Sequence, residues 1–246
     1  MNGIRVTFAR ELRAYFFSPL AYGVLASFLF INGITFAILI GYLNDTPSAV
    51  GAPMEFFFGG TIFFWLALAF VGPILPMRML SEERRSGSLE ILMTAPVTET
   101  QVVVGKYLAA LAFYLTLWLP TVLYAVIVAS YSDLDWGPLA SAYLGVLGIG
   151  ALFLSVGLFA SGITRNQIVA ALVGFAFVFA LFVVGLLEFL VNDPTTKQVI
   201  SYVNLIQHME DFSKGIVDTR RLVYYASSTV FFLFLTSRAL AANKWR

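Results

Sequence analysis

The sequence predicts an all-α polytopic membrane protein, and three observations carry that prediction. Hydrophobic residues make up 59% of the 246 positions and charged residues only 12%, about half the roughly 25% usual in a soluble domain, and the mean hydropathy is +0.85. Uncharged or nearly uncharged runs recur at 20–43, 56–77, 107–131, 138–164, 168–191 and 222–242. At about 1.5 Å per residue each is long enough to cross a hydrocarbon core about 30 Å thick. The charges, finally, are gathered rather than scattered: 77–106 alone holds eight of them, Arg78, Glu82, Glu83, Arg84, Arg85, Glu90, Glu99 and Lys106. We therefore expect one transmembrane domain over 1–246 with six spans. The formal net charge of +1 points to no nucleic-acid partner. The absence of cysteine removes disulfides, thiolate metal sites and cysteine nucleophiles together.

Before the first span, Ile4, Phe8, Leu12 and Tyr15/Phe16 recur at helical spacing, with Arg5, Arg10, Glu11 and Arg13 off that stripe. The pattern predicts an interfacial helix lying on a membrane surface among lipids, with Arg5, Phe8, Leu12 and Arg13 as its working residues. A signal peptide fits less well, because the following apolar run is too long and lacks a small-residue cleavage site. A flexible basic tail fits less well too, because the apolar spacing is regular. Lysine and arginine then set orientation, since short loops rich in them stay cytoplasmic. Eleven fall on the side of both termini, the charged stretch and Arg165, and four (Lys197, Lys214, Arg220, Arg221) fall in one long loop opposite. Both ends and 77–106 are thus expected in the cytoplasm, Arg238 snorkelling at the last span's end and Lys106 at the foot of the third. The spans themselves are expected to hold no buried ionisable group.

Within 77–106, Gly87 is placed to end an extension of the second span, Ser88 to cap a short helix over 89–94, and Pro96 to stop it. Thr98 and Gln101 have capping-box spacing, with Val97 and Val102 as a hydrophobic staple, at the start of the third span. A solvated turn that merely enforces topology is an equal alternative. In the fourth span Ser141, Gly145, Gly148, Ala151, Ser155, Gly157 and Ser161 let helices approach closely, within the chain or across a dimer. Pro73, Pro76 and Pro120 read as kinks. In the long loop, Pro194 suits a first helical turn, Ile200, Val203, Ile206, Met209, Phe212 and Ile216 recur every three or four residues, and Gly215 marks a break. These predict amphipathic helices on the outer leaflet. His208, beside Glu210 and Asp211, reads as a solvated side chain.

The stretch from Met77 to Lys106 resembles the first cytoplasmic loop of ABC-2-type transporter permeases, in which Glu-Glu-Arg, Gly and Leu-Glu precede a Thr-Ala-Pro turn; here these are Glu82, Glu83, Arg84, Gly87, Leu89, Glu90, Thr94, Ala95 and Pro96. The long outer loop resembles the gliding-motility and copper-maturation branch in particular. The resemblance implies a coupling helix that seats in a cleft of a separate cytoplasmic ABC ATPase subunit, with Glu82, Glu83, Arg84, Arg85, Gly87, Leu89, Glu90 and Leu92 as coupling residues. It also implies a homodimer, or a heterodimer with a related permease, in the cell inner membrane. Outer helices that re-enter the membrane would close the path through Ile206, Met209, Phe212 and Gly215, and a surface lid is the plainer alternative. No phosphate-binding loop is present, since Gly105-Lys106 is preceded at the required position by Thr100. The chain is thus expected to carry no cofactor and to be no enzyme itself, ATP and Mg belonging to the partner. A membrane scaffold that recruits a cytoplasmic protein and moves nothing is the competing function.

Overall fold

The computed structural model describes residues 3–45, 53–88, 97–131, 134–189, 191 and 193–243, and their regular structure is entirely helical. Helix α1 (Gly3–Phe16) turns a corner at Phe17 and Ser18 into α2 (Pro19–Asp45). After α3 (Pro53–Phe57) the backbone turns at Gly59, whose φ of 96° is cheap only for glycine. The Thr61 hydroxyl then accepts from Phe64 N–H and starts α4 (Ile62–Ile74). The apolar run 56–77 is thus not one rod: α4 has 13 residues, about 20 Å of rise, between a turn before it and a turn over 75–80 that leads into α5 (Ser81–Ser86).

Among the described residues five helices are long and apolar enough to cross a membrane, at Pro19–Tyr42, Glu99–Tyr131, Trp136–Ile163, Gln167–Leu186 and Thr219–Ala242. The second of these runs through α6 (Glu99–Trp118), a 3₁₀ turn at Leu119–Thr121 and α7 (Val122–Tyr131). Pro120 lies in that turn, a deformation of the kind proline causes by lacking an N–H. The start of α6 carries the expected capping box, Thr98 and Gln101 each bonding the other's backbone N–H at 3.3 Å.

Helix α8 (Trp136–Ile163) is the axis of the bundle, with α9 (Gln167–Leu186) and α12 (Thr219–Asn243) against it. Its most apolar window is 72% buried, against 22% for α2, α9 and α12, so those three lie at the outside of the bundle with most of their surface uncovered by the rest of the chain. The small residues of α8 explain its position. A Cβ at Gly150 would come within 2.3 Å of the Tyr114 ring, and one at Gly157 within 2.6 Å of Pro76 and 2.9 Å of the Gly72 carbonyl. Of the predicted stripe, Gly157 and Gly148, where a Cβ would lie 2.8 Å from the Tyr225 ring, are thus taken up by packing within the chain, where helix association in lipid depends on close approach.

Between α9 and α12 lie α10 (Pro194–Ser201) and α11 (Leu205–Ser213). Pro194 occupies the first turn of α10 behind an Asp193 cap, and Asn204 caps α11. Gly215, at φ 85°, ends the segment as expected. Helix α11 folds inward onto α8, where Phe212 covers Gly145.

Candidate functional site

The site grows out of the packing of α1 on the foot of α6. Gly105 lets the two helices close up: a Cβ there would lie 2.7 Å from Thr7 Cβ and 3.0 Å from the Ile4 carbonyl. That register carries Glu11, one turn beyond Thr7, to Lys106. The Lys106 side chain is only 1% exposed, and a buried ammonium must have its three donors satisfied. They are: Nζ donates to Glu11 Oε1 at 2.9 Å, Glu83 Oε1 at 2.8 Å and the Met79 carbonyl at 2.8 Å. Arg10 closes the group from the outside, donating to the same two oxygens at 2.7 and 3.0 Å. Two cations and two carboxylates thus tie α1, α5 and α6 together. Burial alone would push the Glu11 carboxyl up. Lys106, by charge and hydrogen bond, and then Arg10 outweigh it and hold that carboxyl below the usual range.

Helix α5 is fastened on its other side to the end of α8. Ser161 Oγ, fully buried, accepts from both Leu80 N–H and Ser81 N–H at 3.1 Å and donates to the Met77 carbonyl at 2.8 Å. These N–H groups belong to the first turn of α5, which has no side-chain cap of its own. Arg84 reaches across to the Gly162 carbonyl, and burial, then the like charge of Arg165, lower its pKa. Six residues of helix therefore connect to α1 and to two of the long helices, α6 and α8. The α5 C-cap is Gly87 at φ 73°, the left-handed conformation its sequence position suggested.

Of the residues singled out in the sequence, Glu83 and Arg84 are brought into this junction, while Glu82 and Arg85 are exposed beside it. Leu89, Glu90, Leu92 and the expected helix 89–94 lie outside the described residues. On α1, Phe8 and Leu12 pack toward the core and Arg5 and Arg13 stay exposed. Glu11 and Lys106 were missed. Glu11 sits among arginines off the apolar stripe, and Lys106 was read as a charge at the membrane rim, whereas the fold encloses it completely. The close approach at Gly105 is the local signal, since a glycine before a lysine at a helix foot invites a crossing helix.

At the opposite end of the bundle, Met209 and Phe212 are fully buried, Ile206 packs against them half-buried, and Met209 Cγ lies 3.1 Å from where a Cβ on Gly59 would be. His208 departs from expectation: it is 2% exposed, not solvated. It shares the inward face of α11 with Leu205, Met209 and Phe212, and Glu210 points away. Its Nδ1 lies 3.1 Å from the Tyr225 hydroxyl, between the rings of Tyr224 and Tyr225. Burial, reinforced by Arg221 and opposed by the Ser201 carbonyl and Asp218, lowers its pKa to about 4. Arg221 itself pairs with Asp211 and donates to the Gln207 carbonyl, pinning α11 to the start of α12.

Comparison with known proteins bears on both ends. The model of the ABC-2 family transporter protein family matches residues 12–243, nearly the whole chain. Proteins from Escherichia coli strains K12 and O157:H7, each named "Probable multidrug ABC transporter permease YbhR", are 28% identical over 138 residues, covering 56% of this chain and 37% of theirs. The match thus takes in well under half the length of these curated relatives. With a family match across all five long helices and the junction at their base, the chain belongs to the ABC-2 family of transporter proteins.

Proposed function

We propose that the chain is the membrane permease of an ATP-driven exporter, and that the junction of α1, α5, α6 and α8 converts the motion of a separate ATPase into movement of the spans. The observation that carries this reading is the enclosed Lys106 with its three acceptors on α1, α5 and the 75–80 turn. A short segment gripped by an ion cluster on one side and by Ser161 and Gly162 on the other cannot be displaced without moving the long helices. It precedes 89–94, the coupling helix in this reading, whose Leu89 and Leu92 would seat in the ATPase and whose Glu90 would orient it. ATP and Mg act on that partner. Supporting the assignment are the family membership and the named role of the Escherichia coli relatives as permeases.

In the same reading α3, the Gly59 turn and α4 together make the sixth crossing, and both termini and α5 face the cytoplasm of the inner membrane. Two copies, or this chain with a related one, flank the path. Met209, Phe212, Ile206 and Gly215 form its outer closure, and the long outer segment follows the gliding-motility and copper-maturation branch. The test is gentle purification from native membranes followed by ATP-turnover measurement. A co-purifying ATPase whose turnover changes with Glu83→Gln or Glu90→Gln supports the proposal. A partner that binds through this loop with no nucleotide or cargo dependence favours a scaffold instead.

A further inference from the structure

A cavity of about 330 Å³ opens beside the ion cluster, between the α1–α2 corner and the segment 78–83. Its charges sort in a telling way. Arg10 and Lys106 already neutralise Glu11 and Glu83, so the cluster carries no net charge. Of the charged residues on the cavity wall that leaves Arg78 and Glu82, one cation and one anion, neither of which has an ion pair among the described residues. The guanidinium of Arg78 lies 6.0 Å from the centroid of the Tyr15 ring, also in the wall. The second carboxylate oxygen of Glu83, Oε2, is buried and receives no hydrogen bond, although Oε1 takes two. An acceptor left in that state costs about 1–3 kcal/mol unless a donor reaches it. Phe17, in the cavity wall, is 85% exposed, and Leu20, one turn further on at the start of α2, is 38% exposed.

We propose that this cavity binds a phosphoethanolamine group, supplied by an aminophospholipid of the surrounding leaflet. Its primary ammonium donates to Glu83 Oε2 and faces Glu82, its phosphate pairs with Arg78, and its acyl chains run past Phe17 onto α2. The headgroup is a zwitterion, matching one free cation and one free anion. A quaternary trimethylammonium has no N–H to give the orphaned oxygen, and a phosphoglycerol headgroup can give it an O–H but brings no positive charge to set against the unpaired Glu82 carboxylate. The inference rests on the placement of the N-terminus and α5 at the cytoplasmic face of the membrane proposed above but not on any ATPase, so its failure is separable from failure of the coupling proposal.

The test is native mass spectrometry of the full chain released from vesicles of phosphatidylcholine mixed in turn with phosphatidylethanolamine and phosphatidylglycerol. Phosphatidylethanolamine should be retained about tenfold over phosphatidylcholine, the ratio that one hydrogen bond to a charged group supplies. Arg78→Gln, which leaves the ion cluster intact, should erase most of the retention, and Glu83→Gln should reduce the preference for the amine. Free phosphoethanolamine should compete only at far higher concentration. Equal retention of the two zwitterionic lipids, stronger retention of phosphatidylglycerol, or an unchanged profile in Arg78→Gln overturns the proposal. Free phosphoethanolamine binding as tightly as the lipid overturns its lipid source.

Discussion

Replacing Lys106 by methionine tests the ion cluster directly. The substitution keeps the bulk of the stem and removes the ammonium, leaving Glu11 and Glu83, whose side chains are 13% and 18% exposed, facing each other, and the Met79 carbonyl without its donor. Removing one partner of a buried pair costs about 3–5 kcal/mol. Arg10 is half exposed, already bonded to both carboxylates and free to move inward, which puts the expected loss near the lower figure, about 3 kcal/mol. A double-mutant cycle separates coupling from packing: Glu83→Gln on the Lys106→Met background removes the stranded charge and should recover about 1–2 kcal/mol. Reversible unfolding in mixed micelles, followed by the fluorescence of core tryptophans such as Trp118, measures each variant. A loss below about 1 kcal/mol for Lys106→Met, with Glu83→Gln strictly additive to it, would refute the claim that this lysine holds α1, α5 and α6 together.

Three further outcomes follow from the same geometry. Ser161→Ala strands two buried N–H groups of α5 and should cost about 1–3 kcal/mol, with faster hydrogen exchange at Leu80 and Ser81; unchanged exchange there would contradict the clamp. His208 binds its proton more weakly folded than unfolded, so the stability it contributes is complete above its ordinary value near 6.5 and falls as pH drops toward about 4. Between pH 7.5 and 5 the anchoring of α11 should weaken by about 2 kcal/mol, read as hydrogen exchange in Leu205–Ser213, and His208→Phe should flatten that dependence. At Gly145, where a Cβ would lie 2.9 Å from Phe212, valine should unseat α11 and cost about 1–3 kcal/mol, while Phe212→Ala on that background should restore part of it.

How much of this was legible in the sequence depends on how local each feature is. The capping box at Thr98 and Gln101, the left-handed Gly87 and Gly215 and Pro194 in its first turn are set by neighbours a few residues away, and all were readable. Helix α4 was not, because hydropathy averages over the Gly59-Gly60-Thr61 break that a turn signal could have revealed. The ion cluster joins residues 95 and 23 positions apart, and the topology rule had already explained each charge separately. His208 was misread from its sequence neighbours Glu210 and Asp211; the helical period, which puts it with Leu205, Met209 and Phe212, was the better guide.

Because the chain has no cysteine, a single thiol can be introduced without background, and this opens the most direct test of force transmission. Leu89→Cys carrying a short photocrosslinker, activated in intact membranes, should capture a nucleotide-hydrolysing subunit, with a yield that changes between ATP-bound and nucleotide-free states. Capture of no such subunit in any nucleotide state would contradict the account, however stable the junction of α1, α5 and α6 proves to be.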